Sequence, residues 1–142
     1  MEETIQSYSA LRGIKIENRL GHGTDGSVFQ TNVLSAVKVF QRERQFRNEL
    51  GCYQRLAETG CFRISIFAIP ELQYYHESLR VIEMSVVRPP YLPDFGKCYL
   101  DVQPPDFPAD VIQHEIERQM EDFGEDYSIV QMAIAKLQEF GI

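Results

Sequence analysis

Residues 20–40 read LGHGTDGSVFQTNVLSAVKVF, and what flanks the glycines Gly21, Gly23 and Gly26 decides the fold. A G-x-G-x-x-G run serves two unrelated phosphate-binding devices. In the dinucleotide fold it joins a strand to a helix, whose N-terminus holds the pyrophosphate. Here Gly26 leads into residues 27–31, SVFQT, which form a strand pattern. That context rejects the dinucleotide fold. It leaves a hairpin whose glycines let the backbone close over phosphates, or an ordinary hairpin with a flexible tip. The GxxxxGK[ST] loop is absent from the sequence. Asp25-Gly26 is itself a favoured hairpin dipeptide, because both residue types tolerate positive φ.

Upstream, residues 13–20 (GIKIENRL) place Ile14, Ile16 and Leu20 as the apolar side of a half-buried strand. Downstream, Asn32 is a turn candidate, and residues 33–40 (VLSAVKVF) form the strongest strand pattern in the chain. Together these predict a three-stranded antiparallel meander. Within the third strand Lys38 is a lone ammonium among apolar neighbours. Burying it is costly without a partner. It either points to solvent or lies at the edge of a cleft, where phosphate oxygens and a carboxylate can pair with it.

Residues 41–58 change period. Phe46, Leu50, Tyr53 and Leu56 recur at helical spacing, and Thr59-Gly60 supplies a glycine cap. Residues 64–69 and 79–87 are read as two further strands. Residues 88–108 form a proline-rich linker that turns acidic from Asp94. Two amphipathic helices are predicted over 109–123 and 126–140, broken at Gly124. Clustered strands followed by helices define an α+β fold with an antiparallel sheet.

The 142 residues suit one domain with a real core. Hydrophobic residues at 44% and charged residues at 25% are globular values. Fourteen Lys and Arg against 21 Asp and Glu give a net charge of -7. An acidic chain is a poor ligand for nucleic acid or for an anionic membrane surface. Cys52, Cys61 and Cys98 show no CxxC spacing and the three histidines are scattered, so no metal site is expected. The odd cysteine count, with no signal-peptide pattern at the start, points to the cytoplasm.

Leu20-Gly21-His22-Gly23-Thr24-Asp25-Gly26-Ser27-Val28, followed by Ala36-Val37-Lys38, resembles the glycine-rich loop and third-strand lysine of the protein kinase family, serine/threonine type. Phe46-Arg47-Asn48-Glu49-Leu50 resembles that family's C-helix. The resemblance makes Glu49 the partner of Lys38, with Glu43 as the alternative. Residues 80–85, RVIEMS, resemble the fifth strand running into the hinge. By that alignment Ile82 stands beside the adenine, Glu83 and Ser85 offer backbone groups to the base, and Val28 and Ala36 form its apolar ceiling.

The resemblance implies a five-stranded antiparallel sheet with one packed helix over residues 1–88, binding ATP or ADP, with Mg²⁺ in a complete enzyme. It implies that residues 89–142 are a linker and two helices of an incomplete C-lobe. No His-Arg-Asp loop occurs in the sequence, and Asp94-Phe95-Gly96 sits in the linker with no such loop before it. It is therefore read as a chance match rather than a metal motif. Residues 137–142, LQEFGI, resemble the end of the helix that leads into the kinase catalytic loop. The chain alone is then expected to be inactive. It is either the nucleotide-binding portion of a kinase or a non-catalytic interaction module on that scaffold. Its C-terminal helices are expected to lack their usual cover and to recruit a separate C-lobe or a second copy through Ile129, Val130 or Ile134.

Overall fold

A computed structural model describes residues 1–88, 100–101 and 106–142. The predicted meander is present: β1 (Ile16–His22), β2 (Gly26–Thr31) and β3 (Ser35–Phe40) pair antiparallel in sequence order. β3 then pairs with β7 (Val81–Ser85), and β7 with β6 (Leu72–His76), giving an antiparallel sheet of order β1-β2-β3-β7-β6. The fold is α+β, as the pattern predicts.

The fifth strand is not the one expected. The apolar run at 64–69 forms a separate small hairpin, β4 (Arg63–Ile64) with β5 (Phe67–Ala68), turned through Ser65 at φ 55. The sheet edge is instead LQYYH, β6, whose burial pattern lacks the strict alternation that marks a strand in sequence. β1 is also more exposed than its pattern suggests. Ile14 precedes the strand and is buried, while Leu20 sits at a register shift between Arg19 and Gly21 with 47% of its surface exposed.

Alternation along each strand divides the sheet into two faces. One carries Ala36, Phe40, Ile82 and Met84, and α2 (Glu43–Glu58) packs on it through Phe46, Leu50, Tyr53 and Leu56. Phe46 meets Phe40 edge to face, with centroids 5.8 Å apart. α2 ends as predicted: Gly60 adopts φ 69, Cys61 N–H donates to Leu56 C=O at 2.8 Å, and Gly60 N–H to Ala57 C=O at 3.1 Å. The opposite face carries Val37, Val39 and Val81, and is covered by an element absent from the sequence reading, α1 (Glu2–Arg12). Only Ile5 and Tyr8 of α1 are buried, too few to stand out as a helical stripe.

Of the two C-terminal helices, the second departs from expectation and the first does not. α3 (Ala109–Phe123) has no buried residue, but α4 (Tyr127–Glu139) buries Val130, Ala133 and Leu137 in the same cluster as Phe46 and Ile82. Ile129 and Ile134 are partly buried against it. The face expected to await a partner is thus packed within the chain. Arg55, near the end of α2, fixes the arrangement by donating to Asp101 Oδ1 at 2.6 Å and to the Phe140 carbonyl at 3.0 Å.

Candidate functional site

The glycine hairpin is tethered to the sheet. Gly26 is indispensable for a reason other than its turn. A Cβ on it would lie 2.0 Å from the Val39 carbonyl oxygen, because β2 starts flush against β3. Asp25 is buried and its carbonyl accepts from Gln41 N–H at 3.3 Å, tying the hairpin tip to the start of α2. His22 Nδ1 lies 2.7 Å from Ser27 Oγ across the turn. Gly21 and Gly23 differ from Gly26: both are exposed, and a Cβ added to either would meet nothing within 4 Å. Internal packing therefore does not demand glycine at those two positions.

Beside the hairpin, Val28 pairs in register with Lys38, and Lys38 with Ile82. One step along, Ala36 pairs with Met84, and Met84 with Leu72. These two rows share the α2 face. Lys38 therefore enters a largely apolar surface, and its charge is met there. Its Nζ donates to Glu49 Oε2 at 2.7 Å, with the two side chains only 15% and 4% exposed. Nζ also stands 4.8 Å from the centroid of the Phe40 ring. Glu49 is oriented by its place on α2, between Phe46 and Leu50, both buried. Glu43 lies instead on the exposed side and pairs with Arg47 at 2.9 Å.

The structure brings Val28, Ala36, Lys38, Glu49 and Ile82 to one face. It does not do so for the backbone groups assigned to Glu83 and Ser85. β7 lies between β3 and β6, so Glu83 is flanked by Val37 on one side and Tyr74 on the other. Ser85 N–H already donates to the Glu71 carbonyl at 2.9 Å. In the register of β3 with β7, Ala36 faces Met84 and Lys38 faces Ile82. Backbone clear of the sheet begins after Ser85, at 86–88.

The Glu83 side chain turns to the other face, where it is wholly buried. Tyr8 Oη donates to its Oε2 at 2.7 Å, Arg12 Nε to the same oxygen at 2.8 Å, and Ser35 Oγ to Oε1 at 2.8 Å. Burial alone would push this carboxyl up. The hydrogen bonds from Arg12, Tyr8 and Ser35 outweigh it and hold the group below the ordinary glutamate value. Burial, followed by the hydrogen bond to Glu83, raises the Tyr8 phenol. The sequence did carry a signal for this cluster: Glu83 is a lone charge in an apolar strand, as Lys38 is. Asp94-Phe95-Gly96 and Cys98 lie outside the described residues. No group of three or more His, Cys, Asp or Glu able to hold a metal ion occurs among the described residues. No described helix is long and apolar enough to cross a membrane.

No protein-family model matches the chain, and no curated protein matches it in sequence.

Proposed function

We propose that this chain is the nucleotide-binding portion of a serine/threonine protein kinase-like domain, taking ATP or ADP against the α2 face of β1, β2 and β3. The observation that carries the reading is the Lys38–Glu49 pair, 2.7 Å apart at the foot of a glycine hairpin. An ammonium held by a helix carboxylate is pre-positioned to meet phosphate oxygens, and no rotamer search remains when they arrive. Gly21 and Gly23 add to the case, since the fold leaves open space where their side chains would stand. Gly23 N–H already donates to the Gly26 carbonyl at 2.9 Å, so what glycine offers here is close approach of the backbone to a phosphate rather than a spare Gly23 amide.

The chain's own groups then divide the work. Lys38 neutralises phosphate charge, Glu49 keeps Lys38 aimed, and Val28, Ala36 and Met84 provide the apolar bed for the base. The base edge is read by backbone at 86–88 rather than by Glu83 or Ser85. Bound as its Mg²⁺ complex, ATP would bring the phosphoryl group, with the metal screening its charge. None of the described residues is assigned as the base for transfer. Isothermal calorimetry with Mg·ATP tests the reading. Binding that falls at least tenfold in Lys38→Ala supports it, and equal affinity in that variant rejects it.

A non-catalytic interaction module on the same scaffold is the second reading. It is favoured by α3, where Val111, Ile112 and Met120 are each about half exposed. Absence of any nucleotide-dependent rise in melting temperature would favour it over the first.

A further inference from the structure

The cluster around Glu83 is not needed to hold a nucleotide, yet it lies directly behind the residues that would. Glu83 stands between Ile82 and Met84 on β7, and Ser35 precedes Ala36 on β3. Side chains alternate between faces, so what fixes Glu83 and Ser35 from behind fixes Ile82, Met84 and Ala36 in front. The Ser35–Glu83 hydrogen bond runs diagonally across the β3–β7 pairing, in which Ser35 faces Ser85 and Val37 faces Glu83. A one-residue slip would break that bond and exchange the faces. Ser35 Oγ is in turn 2.7 Å from Thr31 Oγ1, which links β2 into the same chain of contacts. From the other side, the Arg12 guanidinium lies 3.6 Å over the Tyr74 ring, adding β6. Two of the three donors to Glu83, Tyr8 and Arg12, come from α1.

A buried ion pair is a poor device for stability alone, because apolar side chains of the same volume do as well or better. Its directional bonds are suited to register. We infer that Glu83, gripped by Tyr8 and Arg12 of α1 and by Ser35 of β3, is a positioning clamp. It sets β3 against β7 and so holds Lys38, Ala36 and Met84 in the arrangement a nucleotide meets. α1 is by this account part of the site, although it touches only the back of the sheet. The inference rests on the nucleotide-binding reading for its functional consequence.

The test compares the full chain with the triple variant Tyr8→Phe, Arg12→Met, Glu83→Met, which replaces the clamp by apolar side chains of similar size. Tyr8→Phe alone, removing one donor and keeping the ring, serves as the milder variant if the triple does not fold. Two measurements are made: amide hydrogen exchange of β3 and β7 without nucleotide, and affinity for Mg·ADP. The clamp predicts at least tenfold faster exchange in β3 and β7 of the triple variant, with its melting temperature near that of the parent. It predicts about tenfold weaker Mg·ADP binding. In Tyr8→Phe both effects are smaller and of the same sign. Parent-like exchange in β3 and β7, with any acceleration confined to α1, overturns the clamp. If the parent chain binds no Mg·ADP, the nucleotide reading fails by itself, and the exchange measurement still decides whether the clamp sets the sheet.

Discussion

Lys38 and Glu83 are both single charges in apolar strands, and the pleat sends them to opposite faces, each to partners of opposite sign. Their substitution should have different consequences. Lys38→Ala removes the charge offered to phosphate, so nucleotide affinity should fall by roughly 1.5–3 kcal/mol, the range for hydrogen bonds to charged groups. Calorimetry reads this directly, at a temperature where far-UV circular dichroism shows the variant folded, since removing Lys38 from its buried pair with Glu49 also lowers the melting temperature. Glu83 governs a pH response instead. Its folded-state pKa is lowered, so its stabilisation is fully present above the unfolded value and is lost as pH falls through the folded one. The melting temperature of the parent should therefore exceed that of Glu83→Gln at neutral pH, and the gap should close as pH drops below about 4. Asp101, held low by Arg55, and Glu115, held low by Arg118, titrate in both proteins and cancel in the difference. A gap that stays constant down to pH 3 would contradict the ionised clamp. Leu34 offers a third check. It is 73% exposed and adopts φ 59 in the β2–β3 turn, a conformation that leucine disfavours and asparagine tolerates. Leu34→Asn should gain about 1 kcal/mol in denaturant unfolding.

At the scale of elements, legibility in the sequence followed the extent of burial. α2 and α4 each bury one stripe and β3 is buried on both faces, so Phe46, Leu50, Val130 and the apolar run around Val37 announce the elements that hold them. β6 was not legible because it is an edge strand with Tyr74 and Tyr75 about half exposed, and nothing in LQYYH alternates cleanly. α1 was hidden because much of its attachment is polar. Tyr8 and Arg12 bind through hydrogen bonds to a glutamate 71 or more residues away, which no local period encodes. Within the candidate site, Lys38 and Glu49 were legible because a strand and an amphipathic helix fix which way each points. The base-facing backbone was not, since its register depends on the pairing of β7 with β3 and β6. The hidden helix should nevertheless be essential. Removing residues 1–12 exposes the surface under Ile5 and Tyr8, worth roughly 1.5–3 kcal/mol for each large side chain. It also strips the buried Glu83 of two donors, and breaking a buried pair costs about 3–5 kcal/mol. The sum rivals the whole stability of an ordinary domain. The truncated chain should lack a cooperative thermal transition by circular dichroism.

At the scale of the molecule, the question is whether residues 1–88 and 89–142 behave as two bodies. The hydrophobic cluster says how to ask it. Ala36 of β3, Phe46 of α2, Ile82 of β7 and Val130 of α4 belong to one buried group, and Arg55 ties α2 to the end of α4. If that group acts as a single core, damage at α4 is felt at the sheet. Val130 is fully buried, and Val130→Ala removes two carbons, a loss of about 2 kcal/mol from transfer and cavity together. Should the C-terminal helices form an independent unit, the variant would split unfolding into two steps and leave the sheet's own transition unmoved. Should they share the core, one transition persists and shifts down by several degrees. We expect the second outcome. Calorimetry gives the comparison, with hydrogen exchange of β3 and β7 amides reporting whether the sheet follows α4. Light scattering over a range of concentrations completes the test. A mass that stays constant for parent and variant would show that the Val130 contact is internal. A mass that rises with concentration in the parent and not in Val130→Ala would instead place that side chain between copies.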